Sequence, residues 1–246
     1  MKNNRKRKRA IEKSVTRKKY NKVKNESKDL GLGNVKSSID VDSYNKGLLP
    51  NNFTILKSLD QYMIGHKGFI AGGVFKNIFN KEKFKDVDIF FYKQSDYEEA
   101  VKYYTEKDDY TEAYKNDRVV AFYNKQTSVT VELIKFAFGT VDEILKMFDF
   151  TIVKFAYYKE ETEDSVEWKV TYHKQFFEHL HLRRLVIDQK FDEISRIANT
   201  YNRMFRYGKY GYFPCRETKV KVVQALRLLP DFTDDMLSQD LYFGFD

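Results

Sequence analysis

The sequence predicts an α+β fold, a mixed β-sheet flanked by helices followed by a smaller helical C-terminal region. Two observations predict it. Between Leu48 and Tyr172, short apolar runs with strand periodicity alternate with helical patterns, whereas from His173 onward the pattern is helical, with a break at Tyr212 to Pro214. A third sets the N-terminus apart. Residues 1–25 hold 12 Lys or Arg against one acid, Glu12, so they carry +11, and the remaining chain carries −3 of the net +8. Apolar residues are sparse through residue 46, too few to offset chain entropy by burial. The chain therefore divides into a basic, disordered arm (1–46), a head (47–172) and a helical C-terminal region (173–246).

The elements follow in order. Phe53, Leu56, Leu59 and Met63 have helical spacing. Gly68 to Ala71 is a short apolar strand stopped by Gly72 and Gly73, and Val74 to Phe79 is a short helix. Val87 to Tyr92 is a second strand. Ser95 followed by Glu98 reads as a capping box opening a helix to about Glu106. Arg118 to Tyr123 and Ser128 to Phe136 read as a hairpin. Thr140 with Glu143 is a second capping box, for a helix to about Phe148. Phe150 to Tyr158 and Val166 to Tyr172 read as strands joined by an acidic turn, Glu160 to Asp164.

Composition narrows the class. Hydrophobic residues make up 42 % and aromatics 16 %, enough for a core. The single cysteine, Cys215, excludes an intramolecular disulfide and a Cys-rich zinc site, and fits a reducing compartment. No apolar run approaches the ~18 residues of a membrane span, and the basic N-terminus lacks the apolar stretch of a secretory signal, so a cytoplasmic protein is expected. His66, His173, His179 and His181 make no metal-ligand spacing and read as surface residues.

Residues 69–91, FIAGGVFKNIFNKEKFKDVDIFF, carry the chemistry. A strand ends in two glycines, a short helix follows, and a second strand begins Asp86-Val87-Asp88. Side chains at i and i+2 of a strand share a face, so Asp86 and Asp88 can share metal ions. Carboxylates are hard donors suited to Mg²⁺ or Mn²⁺ held jointly with substrate phosphates. Gly72 and Gly73 let the backbone approach a triphosphate, and the helix beginning at Val74 presents its N-terminal amides to it. Glu132, alternating with apolar residues in Val129 to Ile134, is the best third carboxylate: an acid in such a strand is costly unless paired, and a metal removes the cost. A solvent-facing acid on an edge strand is the alternative. Two metals held this way would support in-line attack of a hydroxyl on an α-phosphate.

Strand, Gly-Gly, helix, Asp-x-Asp and a later strand acid together resemble the DNA polymerase β-like nucleotidyltransferases, and most closely the head of bacterial-type poly(A) polymerases and CCA-adding enzymes. That family carries Gly-Gly-x-Val-Arg-Asp after its first strand. Here Gly72 and Gly73 match, Lys76 stands at the arginine and Asn77 at the aspartate. The family's Arg-Arg-Asp-Phe-Thr-Ile-Asn-Ala is similar to Met147 to Lys154, which keeps Asp149-Phe150-Thr151-Ile152 but lacks both arginines and the asparagine. Arg203 to Tyr212 resembles the family's Arg-rich neck helix.

The resemblance implies a nucleotidyltransferase head and a two-ion Mg²⁺ or Mn²⁺ site at Asp86, Asp88 and Glu132. An NTP would be bound by Gly72, Gly73, Lys76, Asp149, Arg203, Arg206 and Lys209. Asp149 could equally tie down the following strand, Lys76 could be an exposed helix lysine, and Arg203, Arg206 and Lys209 could be a solvated basic face. The expected reaction moves NMP from NTP to a hydroxyl, with an RNA 3′ end as the first acceptor. Arg5, Lys6, Arg7, Lys8, Arg9, Arg17, Lys18 and Lys19 of the arm would hold the RNA backbone. Transfer to a protein or small molecule, and a non-catalytic nucleic-acid-binding relative, are the alternatives.

Overall fold

The computed structural model describes residues 43–161, 165–194 and 197–228. The strands are β1 (Tyr44–Leu48), β2 (Gly68–Ala71), β3 (Asp86–Phe91), β4 (Tyr110–Lys115), β5 (Val119–Asn124), β6 (Thr130–Phe138), β7 (Phe155–Glu161), β8 (Val166–His173), β9 (Arg184–Leu185) and β10 (Phe213–Pro214). The α-helices are α1 (Val74–Phe79), α2 (Gln94–Thr105), α3 (Val141–Met147), α4 (Phe176–His181), α5 (Ile197–Lys209) and α6 (Arg216–Leu226). One mixed sheet of eight strands runs β1-β8-β7-β2-β3-β6-β5-β4, and β9 and β10 form a small parallel pair beside it. β3 and β6 are parallel, and the other neighbours in the large sheet are antiparallel. The predicted α+β class, with its mixed sheet and smaller helical C-terminal region, is what the structure shows.

Strand alternation sorts the core into two layers. Ile70, Val87, Ile89, Phe91, Val131 and Leu133 join the larger apolar cluster. Their neighbours Phe69, Ala71, Phe90, Val119, Ala121 and Ile134 join a smaller one, covered by Val141, Ile144 and Leu145 of α3. Asp86, Asp88 and Glu132 share the parity of Phe90 and Ile134. They therefore project from the same face as the smaller cluster, at the end where its apolar cover stops.

Several local expectations change. Asn51–Met63 is a run of 3₁₀ turns kinked at Phe53, not an α-helix. Phe53, Leu56, Leu59 and Tyr62 are all buried at intervals of three, the repeat that stacks side chains on one edge of a 3₁₀ helix. The capping box at Ser95 does not form: the helix starts two residues earlier, with Lys93 in the cap position, and the Glu98 carboxylate accepts from Gln94 instead. The box at Thr140 and Glu143 does form, with Thr140 N donating to Glu143 Oε2 at 2.8 Å. The strand expected from Phe150 begins at Phe155, because Thr151–Val153 turn as a 3₁₀ helix. Tyr44–Leu48 pairs with β8, so the sheet begins three residues before the expected start of the head at 47. His66, His173 and His179 are buried, contrary to the surface reading. His66 uses both ring nitrogens, accepting from Gly68 N and meeting Tyr62 O at 3.1 Å. His179 Nδ1 lies 2.8 Å from Thr151 Oγ1. Among the described residues, no helix is long and apolar enough to cross a membrane.

Candidate functional site

β2 leads into the site. At its end Gly72 adopts φ +107°, a conformation that favours glycine, and a Cβ there would lie 3.3 Å from Asp88 Oδ2 and 3.4 Å from the Phe148 ring. The Gly72 amide is committed to Phe155 O at 3.1 Å, so this residue contributes closeness rather than a free donor. Gly73 begins α1 without a side-chain cap, and the space before it is open. With only six residues, α1 offers a short stack of aligned amides.

The register between β3 and β6 pairs Asp88 directly with Glu132 and Asp86 with Thr130. Glu132 is buried, and Asp86 stands exposed at the strand end. Burial pushes the Asp88 carboxyl well above the usual carboxylate range, and the charges of Glu132 and Asp86 push it further. Burial also raises Glu132, opposed by a hydrogen bond from Tyr114. Asp88 and Glu132 thus face each other across adjacent strands, and burial with neighbouring acid charge makes both costly to ionise. Among the described residues, no three His, Cys, Asp or Glu side chains stand close enough to hold a metal ion as arranged. The donor set nevertheless fits one. Two hard carboxylates, the half-buried Asp88 and the buried Glu132, face each other across adjacent strands, a third acid stands two residues from Asp88, and a divalent cation would relieve the repulsion that raises both.

These acids line a cleft of about 470 Å³ together with Gly73, Lys76, Lys83, Lys85, Phe148, Arg203, Arg206 and Tyr210. Lys76 is buried in its wall, with Nζ 3.6 Å from Glu82 Oε2 and near the Tyr210 and Tyr212 rings. Burial lowers its pKa, and Glu82 partly restores it. Arg203 Nε faces Asp149 Oδ2 at 3.3 Å, and the guanidinium lies over the Tyr207 ring. Burial opposes the Arg203 charge, but Asp149 and the Tyr207 hydroxyl outweigh it and hold the pKa above the ordinary arginine range. Asp149 therefore pairs with a cleft residue and also caps its neighbour, accepting from Phe150 N at 2.8 Å.

The sequence-predicted residues are thus partly assembled. Gly73, Lys76, Asp86, Asp88, Glu132, Arg203 and Arg206 line one cleft, Gly72 supports it from behind, and Asp149 joins through Arg203. Lys209 is exposed and does not line it. Six residues along a helix carry it roughly 120° around from Arg203, whereas Arg206 has turned by only about half as much. Arg5, Lys6, Arg7, Lys8, Arg9, Arg17, Lys18 and Lys19 lie outside the described residues. Sequence reading missed Tyr114, whose Oη donates to Glu132 Oε1 at 2.6 Å, and the cleft residues Lys83, Lys85, Phe148 and Tyr210. The lysines were legible as a basic run before Asp86, but Tyr114 has no local signal.

Solved structures share this fold. A CCA-adding enzyme in complex with CTP superposes with a TM-score of 0.55 at 16 % identity, over 79 % of this chain and 49 % of that one. A tRNA-processing enzyme in an apo form gives 0.52 at 18 % identity, over 81 % and 54 %. A tRNA nucleotidyltransferase bound to a primer tRNA and an incoming ATP analogue gives 0.50 at 16 % identity, over 77 % and 55 %. The chain spans about half the length of these proteins. The likeness establishes a polymerase β-like nucleotidyltransferase fold. No curated protein sequence matches the chain. Residues 43–183, more than half of the sequence, match the family model described as Gabija anti-defense 2 family protein, and the chain belongs to that family.

Proposed function

We propose that the chain is a divalent-metal-dependent nucleotidyltransferase that moves NMP from an NTP to a hydroxyl, with release of pyrophosphate. The observation that carries this reading is the single cleft combining the acids Asp86, Asp88 and Glu132 with the cations Lys76, Arg203 and Arg206. Asp86, Asp88 and Glu132 would hold Mg²⁺ or Mn²⁺, which when bound supplies charge neutralisation at the α-phosphate and lowers the pKa of the attacking hydroxyl. Gly72 and Gly73 would let the triphosphate lie against the backbone. Lys76, Arg203 and Arg206 would neutralise its oxygens and the pyrophosphate that leaves. Phe148 would exclude water from the acidic end of the cleft.

An RNA 3′ end is the acceptor in our first reading. Support comes from the basic excess of +11 in residues 1–25 and from the tRNA named with structures of the same fold. Family membership favours a second reading, in which the acceptor hydroxyl belongs to a Gabija component. One experiment separates them: labelled NTP, Mg²⁺ or Mn²⁺, an RNA pool and a Gabija lysate are incubated with the full chain, alone and in combination. Label in RNA that weakens with added salt supports the first. Label in protein, insensitive to RNA, supports the second. Label in neither, with no metal-dependent thermal shift by NTP, removes the enzymatic reading and leaves a binding protein.

A further inference from the structure

We propose that Tyr114 is a positioning residue that fixes Glu132 for metal binding, through a bulge in the edge strand that carries it. This rests on the metal-site reading given above. β4 is an edge strand of the sheet, and its pairing with β5 slips between Glu112, opposite Phe122, and Tyr114, opposite Ala121. One residue of β4, Ala113, is extra. Without the slip Tyr114 would oppose Val120, whose side chain belongs to the larger core on the other face. A one-residue change of register turns a side chain through the sheet, and a bulge is the usual device for re-aiming one. Here it places Tyr114 on the face of the acids.

The row then reads Tyr114, Ala121, Glu132, Asp88 across four adjacent strands. Tyr114 and Glu132 are two strands apart, roughly 10 Å between backbones. Only a long side chain passing over a small one closes that gap. Ala121 is the small one, fully buried beneath the contact. The 2.6 Å separation falls in the range of a hydroxyl donating to a charged carboxylate. Tyr114 thereby occupies Oε1 of Glu132 and leaves Oε2 as the oxygen available to a metal beside Asp88. Glu132 would ligate through one oxygen, with its rotamer set before the metal arrives.

The test titrates Mn²⁺ into the full chain and follows free Mn²⁺ by electron paramagnetic resonance, for wild type, Tyr114→Phe and Asp88→Asn, with melting temperatures measured in chelator. Tyr114→Phe keeps the ring and removes only the hydroxyl. The expected result is Mn²⁺ affinity lower by about 10-fold or more, the scale on which lost outer hydrogen bonds weaken metal sites, with an unchanged melting temperature. Wild-type affinity in Tyr114→Phe, alongside lost binding in Asp88→Asn, overturns the role of Tyr114 and leaves the metal site standing. Weakened binding accompanied by a lower melting temperature overturns it too, by showing a purely structural contact. Wild type that binds no better than Asp88→Asn overturns the metal-site reading and this inference together.

Discussion

The two faces of the central sheet do different work. One is closed: Leu56, Leu59 and Tyr62 of the 3₁₀ run, together with Phe155 and Phe176, form a continuous apolar layer against it. The other is closed only where α3 lies, and beyond Phe148 its strand positions change from Phe90 and Ile134 to Asp88 and Glu132. On the closed face the strand positions are apolar and packed. On the open face two acids crowd each other beside a cleft with cationic walls, an arrangement that lowers stability and is relieved by a ligand. Stability and chemistry are divided between alternate residues of the same strands.

Breaking the closed face gives the largest expected effect. Phe155→Ala, which removes a buried ring stacked on Phe75 and Tyr172, should cost about 3–5 kcal/mol in chemical denaturation. Any loss of activity should follow only the unfolded fraction. Breaking the open face should do the reverse. Asp88→Asn should lower NTP-dependent transfer by at least about 10²-fold. In chelator it should melt at or above the wild-type temperature, because it removes a crowded charge.

The faces should also differ in the sign of their pH dependence. His66, on the closed face, is pushed down to about 4 from 6.5, chiefly by burial. A depressed folded pKa gives stability that is present above 6.5 and lost as pH falls from there toward 4. His66→Gln should flatten that limb of a melting-temperature profile. Asp88 and Glu132 are shifted upward, so in chelator their contribution runs the other way. It is fully present below the ordinary carboxylate range and lost as pH rises through the raised values, a slope that Asp88→Asn or added Mn²⁺ should remove. The smallest effect expected is from Thr140→Ala, which removes the cap of the helix covering the open face and should cost about 1 kcal/mol without changing transfer.

The same division decides what could be read from the sequence. β2, the two glycines and α1 were legible to the residue, because a buried apolar run ends in glycine and restarts with helical spacing. Asp86 and Asp88 were legible as an Asp-x-Asp opening an apolar strand soon after the two glycines, and Glu132 as an acid interrupting one. The strands at both edges of the sheet were not. Tyr44–Leu48 and Tyr110–Lys115 are largely exposed, so neither shows the alternation that marks a half-buried strand. Tyr114 was hidden for a further reason, since its position depends on a bulge and on the register of three strands. His66 bonds its own neighbours Tyr62 and Gly68, but its burial against the Phe91 and Tyr104 rings, like that of His173 against Tyr44 and His179 against Thr151, depends on residues distant in the chain.

The most direct test of the open face as a nucleotidyl-transfer site uses one NTP labelled in two places. Wild type with Mg²⁺ or Mn²⁺ should transfer label from the α-phosphate to an acceptor and release γ-label as pyrophosphate, and Asp88→Asn, folded by circular dichroism, should do neither. Equal transfer by wild type and Asp88→Asn, or transfer of γ-label in place of α-label, would contradict the account.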